Sequence, residues 1–406
     1  LTGTDRRGWH FHPLFQFQLL GLNGSFLTGD LFNLFVFFEV LLIASYGLML
    51  HGQGAARLHA GVKYVVVNLV GSTLFLVGVG ILYGMTGTLN MADMALRVAQ
   101  APAGDQALIR VGAQLLILVF ALKAALLPLH LWLPQTYGST SPVVAALFAI
   151  LTKAGVYPII RVTVLIFGAD AGAAAWAPAV WMLPAAMLTI VAGYLGVLAA
   201  RNLRTLAAFG VIGSTGTLMV AVSLFTPEGI AASLYYMPHS VLAGALVFLV
   251  TDLVRRARDE DADSLLSGRP FARIGQLSVL FMLAAVALAG LPPLSGFVGK
   301  LLILDGSASA DLAPFIWAAV LGGTFLAILG LVRAGSALFW KIEGDPRPAP
   351  RWQRRFDTLP AWGLFALLGA LTIFAGPMVD YARATSGQLF ERTGYIEAVL
   401  GEGAQQ

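Results

Sequence analysis

The sequence predicts an all-α fold, a polytopic membrane helix bundle with about eleven transmembrane helices in 406 residues. Three observations carry that prediction. The chain is 58% hydrophobic and 11% charged with a mean hydropathy of +0.80, which excludes ordinary soluble and disordered classes. Apolar runs of about 17–25 residues recur along nearly its whole length, each long enough to cross a hydrocarbon core of roughly 30 Å as a helix. Two of these runs are long and broken by proline, LKAALLPLHLWLP and LAGLPPLSGFVGK, and they lie five spans apart. Such breaks free backbone carbonyls that only protein or a water-lined cavity can satisfy. Their matching positions predict inverted five-helix repeats, each with one proline-broken helix.

Bounded by Gly, Pro and charge, the spans run 13–28, 31–50, 62–85, 108–137, 142–167, 178–199, 205–225, 229–254, 274–304, 314–340 and 359–381. The first is the weakest, with Gln16, Gln18 and Asn23 inside it. The runs divide the chain into a first helix pair at 1–61, the remainder of a first half at 62–177 with its broken helix at 108–137, a second half at 178–340 with its broken helix at 274–304, and a loop, last helix and tail at 341–406. Alternating the spans puts fifteen basic residues on one side: Arg6, Arg7, Arg57, Arg201, Arg204, Arg255, Arg256, Arg258, Arg269, Arg273, Lys341, Arg347, Arg351, Arg354 and Arg355. The other side holds four, Arg97, Arg110, Arg383 and Arg392. The positive-inside rule therefore starts the chain in the cytoplasm and ends it outside. Short arginine-bearing loops also account for the net charge of +4 without nucleic acid. The absence of cysteine excludes disulfides and thiol chemistry. The chain opens on Leu1 with no apolar signal core, which reads as a truncated amino terminus.

Ionisable residues inside apolar runs carry the functional signal. Lys123, Lys153, Lys300 and Glu39 all lie in such runs, where each costs roughly 2.5–3.5 kcal/mol on insertion scales. Three amino groups cannot all be neutralised by one carboxylate, a balance suited to moving protons. Lys123 lies five residues before Pro128, where the first broken helix opens, and Glu39 is the acid placed to pair with it. Burial disfavours a charged lysine and a nearby carboxylate favours it, so a pair that opens and closes has a switchable proton affinity. A static pair fixing two helices is the alternative. Lys153, with Tyr157 one turn on and Arg161 beyond, suggests a polar stripe. Lys300 follows the second break in the place expected to mirror Lys123, with snorkelling as its alternative.

Of the histidines, His239 and His130 fall within spans. His239, one turn after Tyr235, is either a bridge between the halves or a satisfied core histidine. His130, in PLHLWLP, is expected to cap backbone freed by Pro128. No paired histidine spacing or buried carboxylate cluster suggests a metal, and no phosphate-binding loop appears, so no cofactor is expected. The small, polar segment GVIGSTGTLM either packs tightly or lines water.

GDLFNLFVFFEVLLIASYGLML around Glu39, YVVVNLVGSTLFLVGVGILYGMTGTLNMADMA, LPLHLWLPQTYGSTSPVVAALFAILTKAGVYPIIR through Lys153, and GLPPLSGFVGKLLIL resemble the antiporter-like proton-channel subunits shared by respiratory complex I and Mrp-type multisubunit cation/proton antiporters, and specifically the D-type subunits of the latter. The resemblance covers essentially the whole chain. It implies fourteen helices with both termini outside, three of them missing here, in a bacterial inner membrane. It further implies a proton-translocating role within a hetero-oligomeric complex that exchanges protons for sodium or potassium. Carried over by position, Glu39 and Lys123 are the ion pair, Lys153 the connecting lysine, His239 the central histidine and Lys300 the terminal exchanging residue, with Tyr157, Tyr235 and His130 in support. Two rivals stand beside this reading: a proton-pumping member of a redox-driven assembly such as complex I or a membrane-bound hydrogenase, and a scaffold whose buried charges only hold helices together.

Overall fold

The computed structural model describes Asp5 and residues 10–52, 54–344 and 357–401, the side chain of Glu260 apart. Apart from two isolated bridges, every regular element among them is helical. The helices are α1 (Phe11–Leu27), α2 (Leu31–Leu50), α3 (Ala55–Thr86), α4 (Met91–Ala99), α5 (Gln106–Lys123), α6 (Trp132–Ser139), α7 (Pro142–Phe148), α8 (Leu151–Leu165) and α9 (Ala179–Ala199). They continue as α10 (Leu203–Val222), α11 (Pro227–Arg258), α12 (Ile274–Ala289), α13 (Ser295–Gly306), α14 (Ala313–Gly335), α15 (Leu359–Ile373), α16 (Ala375–Phe390) and α17 (Arg392–Leu400). Their starts follow capping chemistry. Asp30, Asn90, Ser141, Asn202 and Thr226 each accept a hydrogen bond from a first-turn amide, and Pro142 and Pro227 occupy first-turn positions where a missing N–H costs nothing.

The described residues form eight helical segments long and apolar enough to cross a membrane, nine when α15 and α16 count as one, not eleven. The chain is a multi-pass membrane protein. Two of the expected spans account for the difference. The run 274–304 is split into α12 and α13, and α1 has 17 residues diluted by Gln16, Gln18 and Asn23. The last span, expected to run straight from 359 to 381, bends by 75° between Ile373 and Ala375. Arg6, Arg7, Arg347, Arg351, Arg354 and Arg355, six of the fifteen residues that set the charge bias, lie outside the described residues.

Turns meet at two opposite ends of the bundle, as alternating spans require. At one end Leu31 N–H donates to the Leu89 carbonyl and Met91 N–H to that of Gly29, and Arg392 pairs with Asp170. At the other, Leu203 N–H donates to Asp263 and Leu265 N–H to Arg201, while Arg204 grips Asp263 in a fork at 2.8 and 3.2 Å. The amphipathic α4, not among the expected spans, buries Met91, Met94 and Val98 and exposes an Arg97–Asp93 pair. The 32-residue α11 is the axis of the bundle, touching α7, α8, α10, α12, α13, α15 and α16. α10 is almost wholly buried, and Gly193 of α9 meets Gly213 of α10 so closely that a Cβ on Gly193 would lie 2.3 Å from the Gly213 nitrogen. Small residues thus bring these backbones together where lipid offers no hydrophobic drive.

The two broken helices match in backbone detail. α5 stops at a left-handed Ala125 (φ +57°) and α12 at a left-handed Gly290 (φ +68°). After each, a leucine N–H reaches back five residues, Leu126 to the Ala121 carbonyl and Leu291 to that of Val286. Three residues on, Leu129 and Leu294 close turns onto Leu126 and Leu291. Setting Ala125 opposite Gly290 aligns Pro128 with Pro293, His130 with Ser295 and Gln135 with Lys300.

Candidate functional site

Lys123 is the last residue of α5, buried at 7% exposure, and its Nζ has no hydrogen-bond partner among the described residues. The amino group stands 5.1 Å from the Phe38 ring centroid, where the negative face of the ring attracts a cation. It borders a cavity of about 20 Å³ lined by Tyr64, Asn68, Trp132 and Leu151, wide enough for one water. Glu39 lies near Lys123 but no closer than 4.0 Å, and its Oε1 instead accepts a hydrogen bond from Ser72 Oγ on α3. The expected partners are therefore neighbours in an open arrangement. The break beside Lys123 is held by side chains from elsewhere: Trp132 Nε1 donates to the Leu122 carbonyl at 3.0 Å, and Thr189 Oγ1 accepts from Leu127 N–H at 2.8 Å.

Gly155 brings α8 onto that break, since a Cβ there would lie 2.6 Å from the Ala124 nitrogen. Two residues before it, Lys153 is 1% exposed, and its Nζ donates to Thr152 at 3.2 Å and Thr215 at 3.5 Å. The next residue back on α10, Ser214, bonds Ser240 at 2.6 Å and Tyr236 at 3.2 Å. His239, 1% exposed and adjacent to Ser240, bonds Ser295 through Nδ1 at 3.0 Å. Its ring lies within Coulombic reach of both Lys300 and Lys153. Gly296 clears room for the imidazole, as a Cβ there would sit 2.5 Å from Nε2. Lys300, 5% exposed, donates to the Ala289 carbonyl at 2.7 Å and to Thr324 at 2.6 Å. It thus occupies a carbonyl freed by the second break and points inward rather than snorkelling.

Several sequence expectations change on this geometry. Lys300 does not stand in the register of Lys123; the aligned position in α12 is Leu288, which packs against Gly210, while Lys300 aligns with Gln135. Tyr235 faces away from the site and donates to the Leu371 carbonyl at 3.3 Å; the tyrosine beside His239 is Tyr236, with ring centroids 5.4 Å apart. Tyr157 leaves the expected stripe by donating to the Phe26 carbonyl at 2.9 Å, and Arg161 lies over the Tyr395 ring at 4.2 Å. His130 lies against the Pro128 backbone as expected, although its Nδ1 makes no hydrogen bond among the described residues, and Trp132 caps the Leu122 carbonyl beside it. Sequence reading missed Ser72, Thr152, Thr215, Ser240, Ser295, Thr324 and Tyr236. Of these only Thr215 falls in the GSTG motif, whose glycines pack tightly on α9 while Thr215 meets Lys153 and Ser214 meets Ser240.

Residues 28–327 match the family described as NADH:quinone oxidoreductase/Mrp antiporter, transmembrane. The D component of a probable K(+)/H(+) antiporter of Rhizobium meliloti is 40% identical over 97% of this chain and 78% of its own length. The corresponding D component of the Na(+)/H(+) antiporter of Bacillus subtilis is 38% identical over 99% and 80%. Among solved structures, a chain of the Mrp complex from Dietzia superposes with a TM-score of 0.83 at 28% identity, over 96% of this chain and 79% of that one. A chain of respiratory complex I from Thermus thermophilus gives 0.80 at 25% identity, over 96% and 82%. The chain belongs to the NADH:quinone oxidoreductase/Mrp antiporter transmembrane family.

Proposed function

We propose that this chain is the proton-translocating D-type component of a multisubunit sodium or potassium/proton antiporter, set in a bacterial cytoplasmic membrane with its arginine-rich end inside. One observation carries the reading: Lys123, Lys153 and Lys300 are all buried in a membrane bundle, and among the described residues none has a carboxylate within 4.0 Å. Amino groups kept this way at such cost gain no ion pair in return, whereas a neutral amine can take a proton and an ammonium can release one.

In the mechanism, Glu39 and Lys123 form the switch. With Glu39 held by Ser72, Lys123 lacks its counter-charge and gives up a proton readily; when the carboxylate swings to the amine, the proton is retained. Lys153 receives the released proton across the Gly155 contact. The hydroxyls of Thr152, Thr215, Ser214 and Ser240, which both donate and accept, lead to His239, and Lys300 exchanges the proton at the far side. The chain's relatives at 40% and 38% identity carry antiporter names, which favours this over a redox-driven assembly.

The likeness to a chain of complex I keeps the redox reading in view. Reconstituting the complete assembly in vesicles separates the two. A sodium or potassium gradient, with no reductant or quinone present, should drive opposite proton movement. Proton movement that needs electron transfer and ignores the cation gradient would overturn the antiporter reading.

A further inference from the structure

At the end of the bundle opposite the arginine-rich loops, α5 and the start of α9 enclose an open groove of about 790 Å³ that plays no part in the pathway above. Its upper wall is built and fixed. Gln106 Nε2 donates to the Ala101 carbonyl at 3.1 Å, and its Oε1 accepts from Ala173 N–H at 3.0 Å. Gln114 Nε2 donates to the Ala177 carbonyl at 2.7 Å, and Trp181 Nε1 donates to Gln114 Oε1 at 2.9 Å, locking the indole in place as a side wall. Both amides are thereby spent on the protein. Arg110 is different: its exposed guanidinium makes no hydrogen bond or ion pair among the described residues. Below it the lining turns apolar through Val111 and Leu118, 48% and 39% exposed.

We infer that this groove binds an anionic phospholipid, with Arg110 on the phosphate and one acyl chain lying along Val111 and Leu118 beside Trp181. Depth and charge select this ligand class. Arg110 lies one turn inside the start of α5, at headgroup level, and Leu118 is eight residues deeper, roughly 12 Å along the helix. That matches the roughly 15 Å of one leaflet's hydrocarbon. A guanidinium with free donors above an apolar trough suits a phosphate head on an acyl tail, and its planar fork suits phosphate oxygens better than a point charge does. A helix of a neighbouring protein would leave the cation unanswered unless it brought its own acid.

The test uses the complete purified assembly carrying this chain or its R110Q, R110K or V111W variant. Each is stripped of lipid and titrated with phosphatidylglycerol or phosphatidylcholine, with bound lipid counted by mass spectrometry. The wild type should prefer phosphatidylglycerol by about fivefold, the worth of one basic residue at a membrane surface. R110Q should bring the preference close to one, R110K should retain part of it, and V111W should weaken both lipids by filling the trough. Arg110 and Val111 are exposed, so the variants test binding rather than folding, and Na+ or K+ exchange should survive in R110Q. An unchanged preference in R110Q, or undiminished lipid in V111W, overturns the inference. So does a structure of the assembly with a protein helix seated in the groove.

Discussion

Ser72 Oγ on α3 donates a hydrogen bond to Glu39 Oε1 on α2, while the Lys123 amine near that carboxylate has no hydrogen-bond partner among the described residues. Two titratable groups stand near Glu39, Lys123 of α5 and the Tyr46 phenol. Ser72 is thus a latch on the proposed switch. Ser72→Ala should free Glu39 to close on Lys123, which then holds its proton more firmly. Exchange by the assembly should move to more alkaline pH by about 0.5–1 unit, the worth of one hydrogen bond of about 1 kcal/mol. Ser72→Thr, which keeps the hydroxyl, should restore the profile. A pH profile identical in all three proteins would remove Ser72 from the switch.

Adjacent tyrosines should behave oppositely. Tyr236→Phe removes a partner of Ser214 beside His239 and should slow exchange about fivefold. Tyr235→Phe removes only a 3.3 Å bond to the Leu371 carbonyl and should leave exchange within twofold of wild type. Proton uptake rates in vesicles read both.

The hydroxyls around Lys153 should act as a unit. Thr152→Val and Thr215→Val each remove one acceptor of the same amino group. In a double-mutant cycle on exchange rate their effects should deviate from additivity by about 0.5–3 kcal/mol, since the two residues share a partner and touch each other at 3.3 Å.

The two helix breaks give a stability test of opposite sign. Gly290→Ala places a Cβ at φ +68° and 2.9 Å from Lys300 Cε, so it should cost at least about 1–2 kcal/mol and impair exchange. Ala125→Gly puts glycine where the backbone is already left-handed, at φ +57°, and should be neutral or stabilising by up to about 1 kcal/mol. Thermal unfolding of the purified protein measures both, with Gly80→Ala, inside α3 and meeting nothing within 4 Å, as a reference that should stabilise by up to about 1 kcal/mol.

The bundle was legible in the sequence because its signals are local. Runs of apolar residues mark spans, and Pro128 and Pro293 mark the two breaks wherever the helices pack. α4 escaped because nine amphipathic residues do not span a bilayer, and the 75° bend at Phe374 escaped because the run through it stays apolar. In the site, buried lysines were legible because charge in an apolar run is rare. Their partners were not. Thr215 and Thr324 bond their own helix carbonyls as well as a lysine, so in sequence they resemble any helical threonine. Which of Tyr235 and Tyr236 faces His239 depends on helical phase across Pro238, and whether Glu39 meets Lys123 or Ser72 depends on packing of α2 against α3. Neither is written in spacing.

The most direct measurement is cation-driven proton movement in vesicles holding the complete assembly, with Lys123→Ala and Lys153→Ala each compared to wild type at equal amounts of assembled complex. Proton exchange should fall to background in both variants while the other subunits remain bound. Exchange at the wild-type rate with either lysine removed would show that protons cross the membrane by another route.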